Sequence, residues 1–419
     1  VILGPAVLLA IVILFHWKLT LTHQYTWLEN YDLANLVLPW MQFQAGEWHQ
    51  HHFPLWDPNS WFGQPLFGQG QPGSAYPLNW MLFLAPLKNG WLREWVLNWY
   101  YVGVRYLAAL AAYALARDLG RSRVASILAG CVYALGGYVA STAAPQMVNG
   151  AVWTPLVFLF LFRAQREQQP WPSALLSGFF LGVGWLAGHH QMNLYVTIAA
   201  AAMWAWLCVR DGKLNRKVLE LAAGSLAMAV LASGFQTLPM AEYGRLAVRW
   251  SGTPEPLRFN ETVPYTVLEQ YSMKPLGLLG VFLPNFIKGA NPYVGVVAFT
   301  LAALGVILGW AERQVRYLAA LSLGGLVFAL GPNGLLHGVL YSLTPMLDKA
   351  RVPGAGTVVF GLGIAPLAAY GLDLLALPVA VPWSRRAGWT LAVLGGLLAA
   401  LSVAISAGKI DLDDRMMMT

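Results

Sequence analysis

The stretch WLENYDLANLVLPWMQ, residues 27–42, follows the first long apolar run of the chain and governs how the rest is read. At 100° per residue, Asp32, Asn35 and Gln42 fall within about 80° of arc, while Leu33, Leu36, Val37 and Trp40 cover another face. A segment patterned this way lies along a membrane surface with its apolar side down. Two carboxylates, Glu29 and Asp32, stand on it in a sequence of which only 11% is charged. A carboxylate beside a bilayer is costly, so the pair asks for a reason. At headgroup level, facing water, Asp32 is placed to accept a proton from a hydroxyl group. The plainer alternatives are a carboxylate that is merely solvated, or one that caps a helix.

Outward from this segment, the 419 residues are 57% hydrophobic with a mean hydropathy of +0.53, too apolar for a soluble protein. Apolar runs predict about eleven transmembrane helices, near 1–21, 95–116, 124–142, 147–163, 173–188, 191–208, 218–235, 293–310, 317–331, 355–375 and 388–407. The expected fold is an all-α polytopic membrane bundle forming a single transmembrane domain over 1–419. Basic residues gather in short linkers: Arg117, Arg121 and Arg123; Arg163 and Arg166; Arg210, Lys213, Arg216 and Lys217; Arg313 and Arg316; Arg385 and Arg386. By the positive-inside rule these linkers are cytoplasmic, as is the N-terminus. The same register makes 22–94, 236–292 and 332–354 long extracytoplasmic loops bearing juxtamembrane helices. The opening run VILGPAVLLAIVILF reads as a retained first span from which a short cytoplasmic leader is missing. The net charge of +7 does not imply nucleic acid, because the basic residues are dispersed among linkers rather than gathered with aromatics. Cys131 and Cys208 sit inside apolar runs and read as small buried hydrophobes.

The first long loop continues as HQHHFPLWDPNSWFGQPLFGQGQPGSAYPLNW, residues 49–80. Asp57 falls between two prolines, in a turn. Trp56, Trp61, Phe62 and Phe67 offer flat surfaces to a sugar or lipid headgroup, and aromatics at this depth are also ordinary interface anchors. His49, His51 and His52 make no complete metal-ligand set. Arg105 stands about ten residues into the second span, where an arginine is expensive and marks a functional site unless it snorkels or pairs with a carboxylate. His189 and His190 are adjacent, and adjacent helical residues face apart, so a metal pair is disfavoured. Glu242, Arg245 and Arg249 share one helical face and read as structural.

Taken in chain order, the acidic juxtamembrane helix, GEWHQHHFPLWDP, LGGYVASTAAPQMVNGAVWTPLVF, GHHQMNLY, QTLPMAEYGRLAVR, NPYVGVVAFTLAALGV and LTPMLDKARVP resemble the YfhO-type membrane proteins of the GT-C glycosyltransferase superfamily. The likeness covers nearly the whole chain. It implies a multi-pass enzyme of the bacterial inner (plasma) membrane that moves a sugar from a polyprenyl-phosphate donor to a cell-envelope acceptor hydroxyl on the outer side. The resemblance implies that the acidic residue of the first outer loop serves as general base or binds acceptor or metal, and Asp32 holds the matching position; Glu29 is the weaker candidate, and Asp57 a second acidic contact from the same loop. GHHQ matches a pattern written Gly-His-Pro-Gln, with His190 in place of proline, so that His189, His190 and Gln191 would bind sugar hydroxyls or phosphate. Arg351 fits the family's arginine of the last long loop, and with Lys349 and Arg105 would hold the donor phosphate. The implied reaction is one in-line displacement with inversion. No metal site or cofactor is assigned, and a divalent cation, Mg or Mn, is optional. The chain departs from the family in stopping at KIDLDDRMMMT, which marks either an incomplete chain or a shortened member kept as a subunit with partner proteins. Two rival readings stand beside the enzyme. One is a transporter or flippase for a lipid-linked sugar, whose polar site would lie at the bilayer midplane rather than in loops. The other is a non-catalytic GT-C-like subunit of a larger membrane complex.

Overall fold

The computed structural model describes residues 2–60, 62–210, 213–284, 286, 291–377 and 381–406, so that Trp61 lies outside the described residues. The described chain is mostly helical, as an apolar chain must be where lipid offers its backbone no hydrogen bonds. Among the described residues three helical segments are long and apolar enough to cross a membrane, Pro145–Ala164, Arg216–Leu246 and Pro353–Leu374. Leu3–Phe15, Arg123–Leu135 and Val296–Gly309 are shorter apolar helices.

Several boundaries differ from the sequence reading for identifiable reasons. The first run, expected as one span over 1–21, breaks after Phe15, where the His16 ring nitrogen turns back to the Val12 carbonyl at 3.0 Å. The helix expected to stop at 235 continues to Leu246 with Pro239 inside it, taking the first part of the expected 236–292 loop. Its polar residues are used rather than solvated: Gln236 Nε2 donates to the Phe67 carbonyl at 2.7 Å. Two antiparallel ribbons interrupt the expected all-α chain, Val209–Arg210 with Lys213–Leu214 and Val248–Arg249 with Leu257–Arg258.

The chain divides into two compact units. One comprises Val1–Leu8, Ala109–Ser141 and Pro264–Thr419. Its centre is the Thr357–Leu374 helix, almost every residue of which is buried. That helix packs on Val296–Gly309 and on Arg313–Ala329 at glycines, where backbones meet directly; Gly371 faces the main chain of Leu301, and Gly325 faces that of Val359 and Phe360. Close backbone approach is how helices associate in lipid, where no hydrophobic force drives them together. At one end Asp373 Oδ2 accepts from the Ser122 amide at 2.8 Å, and Arg121 lies 3.8 Å over the Tyr370 ring. At the other, the segment around Met273 is tied to the end of the Arg313–Ala329 helix and the turn after it: Met273 N donates to Ala329 O at 2.9 Å, and the Asn333 side chain Nδ2 to Met273 O at 3.3 Å.

The second unit comprises Leu9–Ala108 and Thr142–Val263. Here Pro170–Leu186 lies along Arg216–Leu246, with Gly178 against the main chain of Ser225. The 22–94 segment folds over this pair and carries a core of its own, in which Phe67, Ala75 and Tyr76 pack with Val183, Leu186 and Ala187. A polar network makes that segment ordered. Trp153 Nε1 donates to the Tyr76 hydroxyl at 2.8 Å, which donates to Asn149 O at 3.0 Å. Asn149 Nδ2 donates to the Tyr100 hydroxyl at 2.8 Å, and Asn79 Nδ2 donates to Gly73 O at 2.9 Å.

Candidate functional site

The acidic segment belongs to the second unit. Trp27 is buried at its start, Glu29, Asn30, Tyr31 and Asp32 are exposed, and Leu33 is buried again. The helix begins at Tyr31 and Asp32, passes through a π turn, Leu33–Val37, in which the Leu38 amide reaches the Leu33 carbonyl, and continues as Leu38–His49. In the wider turn residues three apart swing off a shared face while residues four apart keep it, so Leu33 and Val37 are both buried while Leu36, expected on the apolar face, is exposed. Asp32 does not cap this helix; Asn30 does, its Oδ1 accepting from the Leu33 amide at 2.9 Å. The carboxylate of Asp32 is therefore not committed to the backbone. Gln42, on the same predicted polar face, clamps the turn before the next long helix: its Nε2 donates to Gly90 O at 2.7 Å and its Oε1 accepts from Leu92 N at 2.8 Å.

Asp57 is a different kind of acid. It is 3% exposed, and both oxygens serve its own turn, Oδ1 accepting from Asn59 N at 2.9 Å and Oδ2 from Ser60 Oγ at 2.6 Å. Arg105 is 1% exposed and neither snorkels nor ends on a carboxylate. Its Nη1 donates to Tyr101 O at 3.1 Å, its Nη2 donates to Thr142 O at 2.7 Å, and the guanidinium lies 3.3 Å from the centre of the Tyr101 ring. Tyr101 lies one helical turn before Arg105, and that spacing was the sequence signal for this contact.

At GHHQ, Gly188 has φ +102 and its backbone presses on the Gly70 and Gln71 carbonyls, where no side chain fits. His189 precedes the His190–Cys208 helix in an extended conformation. Adjacent residues that are not both helical can face together, and the two imidazoles stack at 5.6 Å with 10° between planes, contrary to the sequence expectation. Asn193 Nδ2 donates to the His189 carbonyl at 2.8 Å, and His189 Nδ1 is buried without a hydrogen-bond partner. Burial, then the positive potentials of His190 and Arg249, hold the His189 imidazole down at about 3. Gln191 is buried beside them. An apolar groove of about 460 Å³ runs along the first part of the Glu94–Asp118 helix, lined by Met81, Leu82, Trp95, Trp99, Gly103 and Leu107 among others.

Arg351 and Lys349 belong to the other unit. Arg351 lies 4.6 Å over the Tyr271 ring, and Lys349 Nζ pairs with Asp348 Oδ2 at 2.7 Å. Nearby in sequence, His337 is fully buried, its Nδ1 3.2 Å from the Tyr265 hydroxyl, and burial holds its imidazole down at about 4. Among the described residues no three His, Cys, Asp or Glu side chains stand together as metal ligands.

These two histidines make stability acid-sensitive. Both stay neutral when folded and take up a proton near 6.5 when unfolded, so the unfolded state binds more protons as pH falls from 6.5 toward 4 for His337 and 3 for His189. Stability is full above 6.5 and is lost through that window. At pH 5 each site costs on the order of 1–2 kcal/mol. Thermal unfolding in detergent at pH 7.5 and 5 is expected to show the drop, and His337→Phe to remove part of it; equal melting points at both pH values would contradict it.

The chain shares its fold with the arabinofuranosyltransferase AftD from Mycobacteria, at TM-score 0.56 and 19% identity over 97% of this chain and 27% of that one. A mutant of AftD gives TM-score 0.54 at 19% identity over 97% of this chain and 28% of the mutant. The apo oligosaccharyltransferase of Archaeoglobus fulgidus gives TM-score 0.50 and 15% identity over 93% of this chain and 52% of the other. The chain thus spans about a quarter of AftD and about half of the oligosaccharyltransferase. What the chain shares with these proteins is the fold. No protein-family model matches the sequence, and the curated proteins include no match to it.

Proposed function

We propose that this protein is an inverting membrane glycosyltransferase of the bacterial inner membrane. It would take a sugar from a polyprenyl-phosphate donor and pass it to a cell-envelope hydroxyl on the extracytoplasmic side. The observation that supports the reading is the fold shared with AftD over 97% of this chain, with an exposed carboxylate, Asp32, left uncommitted in the first turn of the first loop helix. In the proposed step the acceptor O–H gives its proton to Asp32 and its oxygen bonds to the anomeric carbon. The bond from that carbon to the phosphate oxygen breaks, and its electron pair leaves with the polyprenyl phosphate. Attack from the side opposite the leaving group inverts the centre. Phosphate is a good leaving group and needs stabilisation of its charge more than protonation, a role suited to hydrogen-bond donors of the same unit such as His189 and Gln191. Asp57, spent on its turn, is a poorer base than Asp32, and the buried Arg105 is a poor phosphate ligand.

The test is transfer of labelled sugar from polyprenyl-phosphate donors to a hydroxyl acceptor by the purified chain, run beside a flux assay in vesicles. Transfer supports the enzyme, and flux without transfer would replace it with a transporter.

The apolar groove suits the prenyl chain of such a donor. A Cβ at Gly103 would meet no atom within 4 Å, so the backbone there accepts a side chain directed into the groove. Gly103→Trp is expected to raise KM for a long-chain donor about tenfold, with little effect on a water-soluble short-chain analogue, as burial of a few methylenes is worth about 1–2 kcal/mol. Equal KM changes for both donors would place the chain elsewhere.

A further inference from the structure

We infer that Arg105 is a positioning residue for Asp32: it fixes Tyr101, Tyr101 holds Trp27, and Trp27 sets where the exposed acidic segment begins. The inference rests on the reading of Asp32 as the base. A guanidinium buried in a helix bundle without a carboxylate is a heavy electrostatic cost and persists only if its surroundings compensate it. At 1% exposure, Arg105 can offer little to a lipid phosphate. What it does instead is local and directional. It binds the carbonyl of Tyr101, on its own helix, and that of Thr142, in the connection before Pro145–Ala151, and its charge sits on the Tyr101 ring. The Trp27 indole stacks on that same ring at 5.2 Å and 17°, and its Nε1 donates to Leu97 O at 3.2 Å. His16, at the break after the first helix, meets the ring edge-on at 5.9 Å. Tyr101 is thus the point where the Glu94–Asp118 helix holds the chain on its way from His16 to Trp27.

Between Trp27, 5% exposed, and Leu33, 2% exposed, the chain is a short bridge whose exposed part is Glu29 to Asp32. Asn30 stiffens it by accepting from the Leu33 amide. The lead-in from Trp27 to the Asn30 cap is only three residues, and Asp32 stands in the first turn that the cap closes. Loss of the Trp27 end would free that lead-in and the cap with it, so that the first turn frays, and misplacement of a base by about 1 Å can cost 10²-fold in rate.

The experiment has two arms on the purified full chain, in a background with Cys131 and Cys208 replaced by alanine. The first arm places a nitroxide at Tyr31→Cys, a site 80% exposed, and reads its mobility. Arg105→Lys, Tyr101→Leu and Trp27→Leu are each expected to raise mobility, and Tyr101→Phe, which keeps the ring, to leave it unchanged. The second arm, without the label, varies a polyprenyl-phosphoryl arabinofuranose donor. Arg105→Lys is expected to lower kcat about 10- to 100-fold with KM for donor within twofold of wild type. A raised donor KM at unchanged kcat would make Arg105 a phosphate ligand and overturn the inference. So would unchanged label mobility in both Arg105→Lys and Tyr101→Leu. If Arg105→Lys does not fold, Tyr101→Leu and Trp27→Leu decide the question. A wild-type protein that transfers no sugar while the label responds as expected sinks the reading of Asp32 and leaves the clamp standing.

Discussion

Asp32→Asn is expected to lower sugar transfer by roughly two to four orders of magnitude, the usual contribution of a positioned base, and to leave thermal stability unchanged. The substitution keeps size and shape and removes only the ability to take a proton. Nothing in the fold depends on the carboxylate, because Asp32 is exposed and makes no cap, and the cap is supplied by Asn30. Exposed substitutions away from caps and ion pairs stay within about 0.5 kcal/mol. Asp57→Asn should show the opposite pattern. It weakens charge-assisted bonds to the Asn59 amide and the Ser60 hydroxyl in a buried turn, which costs about 1–3 kcal/mol and lowers the melting point. Activity per folded molecule should then fall far less than in Asp32→Asn. Measuring turnover and melting point for both variants separates the base from the brace. Wild-type turnover in Asp32→Asn would remove this residue from the chemistry.

The same contrast marks what a sequence can disclose. Composition and the spacing of apolar runs locate the segments around 147–163, 218–235 and 355–375 because burial in lipid requires long unbroken apolar helices, and the structure has helical segments there. The alternation of Asp32 and Leu33 with Val37 and Trp40 was legible because it is a helical period, but the π turn that exposes Leu36 was not, since one added residue per turn leaves no compositional trace. The end of the second of these helices was also hidden: a hydropathy window stops at 235, whereas the Arg216–Leu246 helix continues by giving Gln236 to the Phe67 carbonyl, a partner far away in sequence. His189 and His190 stack because one of them lies outside the helix, a fact of the Gly188 backbone rather than of the residue types. Arg105 could be flagged as expensive from its position, yet its partner at Thr142 belongs to another connection, and only the fold brings that carbonyl to it. Asp32 and Arg351 fall in different units of the chain, so no local pattern relates them.

Adjacent glycines in the Arg313–Ala329 helix, Gly324 and Gly325, should respond in opposite directions to the same added methyl group. A Cβ at Gly324 would meet nothing within 4 Å, and alanine is the better helix former by about 1 kcal/mol, so Gly324→Ala is expected to be neutral or slightly stabilising. A Cβ at Gly325 would stand 2.5 Å from the Phe360 amide nitrogen and 2.9 Å from the Val359 carbonyl carbon. Those are main-chain atoms of the buried Thr357–Leu374 helix, which cannot rotate away as a side chain would, so the two helices must separate. Separation loosens the whole crossing, and lipid supplies no hydrophobic force to close it again. Gly325→Ala is therefore expected to cost about 2–3 kcal/mol, and Gly325→Leu to prevent recovery of monodisperse protein. Gly371→Ala should do the same on the other side of the central helix, where its Cβ would stand 2.6 Å from the Leu301 carbonyl carbon. Melting curves of the three alanine variants in one detergent decide the point. Equal melting points for Gly324→Ala and Gly325→Ala would mean that the central helix is not held by backbone contact.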